Sequence, residues 1–289
     1  MKRVLYWLAM AGFLCLFCFA GFKVWSYYSE GLKSQAEYED LSQLRQEALA
    51  TDPTGSPDPT GPKLPNLEGF ENKTPEEILQ MPENPYISLI HPETGDVVHM
   101  LPQYKELFLR NSDIIGWIAI EGTKIDYPVV QRKQTQDYYI HRNFYREYAS
   151  RGCIYAREQC DIFPRTDNII LYGHMMRDGS MFAALANYED PDFRDAHPYI
   201  RFDTLLEQGL YQVICVFKTT AVLNKGFRYH TFVDIPDQAT LDTFWSNCLA
   251  NAIYYTGLEP EFGDQLLTLS TCEYTLEEGR LVVVARRIS

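Results

Sequence analysis

One apolar run near the start of the chain divides everything that follows. Val4 to Phe22, VLYWLAMAGFLCLFCFAGF, holds nineteen residues without a charge. As a helix it would be about 28 Å long, close to the hydrocarbon thickness of a bilayer. Residues 1–3 then read as a cytoplasmic tail and 4–22 as a single-pass membrane anchor. Lys2 and Arg3 lie before the run and Lys23 after it. That balance favours an N-terminus in the cytoplasm and a chain that continues outside the cell. A cleaved signal peptide is the rival reading, but the run is long for one and no clear A-x-A site follows.

Residues 23–50 read as a juxtamembrane helix or a solvated stalk, with Leu32, Ala36, Leu41, Leu44 and Ala48 roughly at helical spacing. Residues 51–69, TDPTGSPDPTGPKLPNLEG, are too rich in proline and glycine to form a core and read as a semi-extended spacer. A short helix is expected from Thr74, capped by the threonine with Pro75 at its first position. Residues 70–289 form the folded domain. From about residue 85 its pattern is mostly β, with strands expected at 114–120, 124–130, 152–156, 168–172, 199–203, 210–220, 265–271 and 281–287. Helical patches are expected at 181–188 and 238–254. The second places Leu241, Phe244, Trp245, Cys248, Leu249 and Ala252 on one face. Short strands separated by turns suggest a closed barrel or a sandwich.

Composition narrows the function. A net charge of −13 argues against nucleic acid as the main partner, because phosphate binding needs a basic face. Seven cysteines are too few for a disulfide-dense scaffold, and the odd number leaves at least one thiol without an intrachain partner. Cys15 and Cys18 fall within the anchor. Cys215 and Cys248 read as core residues, and Cys153 and Cys160 as packing residues or an optional disulfide.

That leaves Cys272, at the end of the alternating strand Thr268-Leu-Ser-Thr-Cys272. Arg280 opens the next apolar strand after a turn at Glu277-Glu278-Gly279, so a hairpin would bring it beside Cys272. His174 ends Asn168-Ile-Ile-Leu-Tyr-Gly-His174, where Gly173 is expected to let the backbone turn sharply. The three types suit one chemistry. A thiolate is the nucleophile, favoured by a nearby cation, and histidine passes the proton. Arginine holds an oxyanion or the substrate backbone. Each residue alone also has a plain structural reading as a core thiol, a hydrogen-bonded histidine or a solvated edge charge.

The stretches TLSTC, NIILYGHMMRDGSMF and GWIAIEGTKIDYPVV closely resemble the sortases, and class B sortases in particular. The resemblance covers roughly residues 100–289 with the motifs in order. It implies a mostly β fold: an eight-stranded barrel with N-terminal helices and a long helix between strands six and seven, preceded by one transmembrane helix. It implies that His174, Cys272 and Arg280 are catalytic and that Ser270 shapes the substrate pocket. Asn143 and Glu273 match other substrate-binding positions less closely.

The activity implied is that of a membrane-anchored cysteine transpeptidase with its catalytic domain outside the cell. Cys272 attacks a backbone carbonyl within the C-terminal sorting signal of a secreted protein, forming a thioester. An amine of cell-wall peptidoglycan, or a pilin lysine, resolves it. No metal or organic cofactor is implied. The alternative is a membrane-tethered, wall-associated ligand-binding module or a cysteine peptidase that does not transfer. Papain-like enzymes place the cysteine before the histidine, the reverse of the order here. L,D-transpeptidases carry a histidine-glycine-cysteine run that this chain lacks. His91-Pro-Glu-Thr-Gly95 resembles an x-P-x-T-G sorting pattern but lacks a following hydrophobic tail, and reads as a β-turn. His99, His141, His197 and His230 show no metal-ligand spacing and read as structural or surface groups.

Overall fold

A computed structural model describes residues 2–51, 88–90, 97–222 and 224–289. The spacer at 51–69 beyond Thr51, the helix expected from Thr74 and the turn at His91–Gly95 lie outside the described residues. The chain divides into two compact units, Met1–Leu41 and Ser42–Ser289.

The first unit is helical. Helix α1 runs Lys2–Thr51 and continues into the second unit. Within the first unit Trp7, Phe13, Leu14, Phe17, Phe19 and Trp25 are all exposed. The helix is long and apolar enough to cross a membrane, and none of its apolar window is buried within the protein.

The second unit is a barrel. Its strands are β3 (Ile114–Ala119), β4 (Asp126–Val130), β5 (Ile154–Ala156), β6 (Asn168–Tyr172), β7 (Tyr199–Thr204), β8 (Leu210–Thr220), β9 (Leu266–Glu273) and β10 (Gly279–Arg287). They close in the order β10-β8-β7-β3-β4-β5-β6-β9, with β9 also bonded to β10. The expectation of eight barrel strands is borne out, each within two residues or so of its expected bounds. A separate hairpin, β1 (Ser88–Ile90) with β2 (Val97–His99), was not expected from the pattern. Closure removes the free edges that an open sheet would present to other chains.

The strands of the β6–β9–β10 wall are apolar almost throughout because both of their faces are covered. Ile169, Ile170, Leu171, Leu267, Leu269, Val282, Val283 and Val284 are all fully buried. One cover is helix α4 (Gln238–Asn251), which falls between the sixth and seventh barrel strands; α2 (Lys105–Arg110) and α3 (Pro191–Ala196) are shorter. The Asp237 side chain caps α4 by accepting from the Thr240 N–H. Leu241, Phe244 and Cys248 of α4 are buried with Ile214, Cys215 and Phe217 of β8. Leu249 remains exposed, so the buried stripe is narrower than the sequence spacing suggests. The patch expected at 181–188 is a 3₁₀ helix, Phe182–Glu189.

None of the seven cysteines forms a disulfide. Cys153 and Cys160 are each buried and do not pair. Cys160 Sγ instead accepts from the Ile170 N–H at 3.3 Å, and burial pushes its thiol up to about 11, leaving it an inert packing group.

Candidate active site

Strands β9 and β10 and the segment just past β6 bring three side chains to one cleft. In the antiparallel β9–β10 ladder Cys272 lies opposite Arg280. In the parallel β6–β9 ladder Tyr172 lies opposite Ser270. That pairing continues past the end of β6: the Gly173 N–H donates to Ser270 O at 3.2 Å, and Thr271 Oγ1 donates to Gly173 O at 2.8 Å. His174 follows two residues after the end of β6, on the segment that Gly173 ties to β9. Residues level across a sheet project from the same face, with strands about 5 Å apart. Cys272 and Arg280 are such a pair. His174, Cys272 and Arg280 are all half-buried and line a single cleft of about 330 Å³.

Gly173 serves this arrangement differently from the expectation. Its φ is not in the left-handed region, so no sharp turn requires glycine there. A Cβ at that position would instead lie 2.8 Å from the ring of the buried Phe182 and 2.5 Å from Ile154 Cδ1. Glycine is needed for close packing beneath the histidine.

His174 Nε2 lies 2.8 Å from the backbone carbonyl of Ile140. A carbonyl only accepts, so Nε2 carries a proton and Nδ1 is the nitrogen left to take and give one. Arg280 Nη1 donates to the carbonyls of Gly279 at 2.9 Å and Glu278 at 3.2 Å. Those bonds anchor the guanidinium and leave Nε and Nη2 for a ligand.

The cleft is basic within an acidic protein. Arg157, Arg228, Arg280, His174 and His230 line it, with Asp137 the one carboxylate among the described lining residues. Burial, then the Arg157 and Arg228 charges, hold His230 below the ordinary imidazole range. The arginines give the cleft a positive field.

Ser270 lines the same cleft, and its hydroxyl lies 2.6 Å from Tyr229 Oη. Burial pushes the Tyr229 phenol up, while the Ser270 bond and the charges of Arg280 and Arg157 pull it down. Tyr229 is a site residue the sequence reading missed. It follows no motif and reaches the cleft only because the segment after β8 folds back over β9.

Asn143 and Glu273 are not among the residues that line the cleft. Asn143 Oδ1 accepts from the Glu147 N–H at 2.9 Å, and Nδ2 donates to Glu147 Oε2 at 3.3 Å, closing a turn. Glu273 accepts from the N–H groups of Thr275 and Leu276 and from Lys218 Nζ, which shapes the turn leading to Arg280. Burial opposes its ionisation, but those donors hold its carboxyl below the usual range.

The segment 131–153 carries Ile140 and contains no strand, yet polar anchors hold it. Asp113 Oδ2 accepts from Tyr139 Oη at 2.6 Å, Arg132 Nη1 at 3.0 Å and Arg146 Nε at 3.0 Å. Arg151, with a side chain only 3% exposed, donates to Asp178 Oδ2 at 2.5 Å and Ser180 Oγ at 2.8 Å. The second pair ties this segment to the loop that follows His174.

Comparison with known proteins agrees with the geometry. A family model described as Sortase domain matches residues 118–288. Sortase B of Listeria monocytogenes serovar 1/2a is 31% identical over 227 residues, covering 77% of this chain and 89% of that protein. The structure of a Staphylococcus aureus sortase B–substrate complex superposes with a TM-score of 0.67 at 27% identity, covering 90% of this chain and 99% of that one. A sortase B complexed with triglycine superposes with a TM-score of 0.66 at 26% identity, covering 90% and 99%.

Proposed function

The chain belongs to the sortase family, class B, whose members are cysteine transpeptidases, and from that premise we propose that Cys272, His174 and Arg280 carry the reaction. The observation that carries the assignment is that Cys272 and Arg280 pair across β9 and β10 and line one cleft together with His174, two residues past β6.

The steps follow from the groups present. The Cys272 proton passes to His174 Nδ1, leaving a thiolate beside an imidazolium in a positively charged cleft. The sulfur attacks a backbone carbonyl of a sorting peptide. Arg280, anchored through Nη1, offers its remaining donors to the oxygen that becomes negative. His174 returns its proton to the departing amine, the C–N bond breaks, and a Cys272 thioester remains. An incoming amine then attacks that thioester, with His174 taking its proton and passing it back to the departing sulfur. The products are a new amide and the free thiol. Ser270 and Tyr229 shape the wall on which the peptide lies.

The substrates are secreted proteins with a C-terminal sorting signal, and the acceptor is a peptidoglycan amine or a pilin lysine. The substrate complex of the Staphylococcus aureus sortase B and the triglycine complex of a sortase B support a bound substrate and an amine acceptor. Helix α1 anchors the protein, with residues 1–3 cytoplasmic, 4–22 in the bilayer and the catalytic domain outside, as Lys2 and Arg3 favour. Residues 51–69 act as a spacer before the domain at 70–289.

A peptide-library assay with the full chain in detergent tests the reading. Wild type should cleave a defined sorting motif and, given an amine, transfer it. Cys272→Ala should do neither. Substantial cleavage by that variant would remove the thioester mechanism.

A further inference from the structure

His141 shows no metal-ligand spacing and reads from sequence as a structural or surface group, but its ring stacks on that of His174, with centroids 5.6 Å apart and planes within 19°. Its other neighbour is Tyr148, at 6.3 Å and 38°. We propose that His141 is a positioning residue for His174: its ring fixes the plane of the imidazole that exchanges protons with Cys272. The inference rests on the catalytic reading above.

Two consecutive residues constrain the same ring in perpendicular directions. The Ile140 carbonyl accepts from Nε2 in the plane of the imidazole. That bond selects the tautomer, but it leaves the ring free to swivel about the Nε2···O axis. A flat group against the ring face opposes that swivel, and His141 supplies one. With both in place, Nδ1 points in one direction throughout the proton transfers. Proton transfer requires hydrogen-bond reach and alignment, so a loosely aimed imidazole loses rate while substrate binding is unaffected.

The support for His141 is itself held. The Ala149 N–H donates to His141 O at 3.1 Å, closing the turn that carries Tyr148. Asn143 and Glu147 tie the middle of that turn. The Asp113 cluster fixes its flanks through Arg132, Tyr139 and Arg146. These anchors explain why a segment without strands is ordered beside the cleft. They also give Asn143 a role one step removed from substrate.

The test uses the full chain in detergent and an internally quenched x-P-x-T-G peptide that wild type cleaves. His141→Ala should lower kcat about tenfold or more with KM within about twofold, since aim is lost and binding is not. His141→Phe restores a flat face and should recover kcat to within about threefold of wild type. Nitrogen NMR of ¹⁵N-histidine-labelled protein should show the Nε2–H tautomer of His174 in wild type and in the phenylalanine variant, and its loss of definition in the alanine variant. Unchanged kcat in His141→Ala would overturn the proposal. So would a raised KM at constant kcat, which marks a substrate contact, or a phenylalanine variant as slow as alanine, which marks a need for the imidazole itself. Cys272→Ala and His174→Ala are run alongside. If either retains activity the catalytic reading fails; if both are inactive and His141→Ala is normal, only this inference fails.

Discussion

Arg280 faces Cys272 directly across the last hairpin, and two backbone carbonyls of its own turn hold it there through Nη1. The turn is in turn shaped by Glu273, one residue after the cysteine. Thiol and cation are therefore set by a single local structure. Arg280→Lys cannot reproduce it, because an ammonium cannot hold two carbonyls with one nitrogen and offer others to substrate. We expect kcat/KM to fall about 10²-fold, the scale of losing one oxyanion donor, with little change in thermal unfolding. Near-normal turnover would remove Arg280 from the mechanism.

The Ser270–Tyr229 bond predicts that the two residues are coupled in stability. Ser270→Ala leaves a buried phenol without its partner and should cost about 1–3 kcal/mol. Tyr229→Phe removes the other partner at a similar or smaller cost. The double variant should be clearly less destabilised than the sum, because no polar group is then stranded. Urea unfolding of the four proteins checks this, and strict additivity would show that the bond contributes nothing.

The end of α1 belongs to the folded unit. Arg45 Nη2 bonds Asp203 Oδ2 at 2.9 Å, and Tyr104 Oη reaches the same oxygen at 3.2 Å. The guanidinium also lies 5.3 Å from the Trp117 ring. Asp203 is 1% exposed, so loss of Arg45 leaves a buried carboxylate short of its cation. We expect Arg45→Ala to cost about 3 kcal/mol. A soluble chain begun after Thr51 should melt below one begun at Glu30. Equal melting temperatures for the two truncations would show that the pair is not stabilising.

Acid should loosen the segment beside the histidine. Burial opposes ionisation of Asp113, but Arg146, Tyr139 and Arg132 hold its carboxyl below its usual range. Burial likewise opposes ionisation of Asp178, and Ser180 and Arg151 hold it down. A carboxyl with a folded pKa below its unfolded value binds fewer protons in the native state. Its stabilisation is complete above the ordinary value of 3.8 and is lost as pH falls through the folded value. The urea midpoint should drop below about pH 4, and less steeply in Asp113→Asn with Asp178→Asn. Parallel profiles for wild type and the double variant would place the acid sensitivity elsewhere.

Much of the barrel was legible because its signals are local. Leu281 to Ala285 is apolar without interruption because both faces of β10 are covered, and Glu277-Glu278-Gly279 marks the turn before it. The turn residues alone put Cys272 and Arg280 near the same end of neighbouring strands; the ladder sets them opposite one another. The hairpin β1–β2, the extent of the buried stripe on α4 and the part played by Gly173 were not legible, because each depends on what packs from elsewhere. Asn143 and Glu273 stand near the right motifs, but their side chains are used to close turns.

The sequence by itself determined the apolar N-terminal helix, the succession of barrel strands and the thiol, imidazole and guanidinium at strand ends. Periodicity, turn residues and the family motifs are properties of short stretches and can be read in place. Only the tertiary structure decided that the Ile140 carbonyl selects the His174 tautomer, that His141 covers its face, that Tyr229 joins Ser270 and that Arg45 belongs to the barrel. These contacts join residues 33 to 158 positions apart, or pack rings whose segments carry no shared pattern. The closure of the barrel brings those segments together, and nothing in their local sequence marks the meeting.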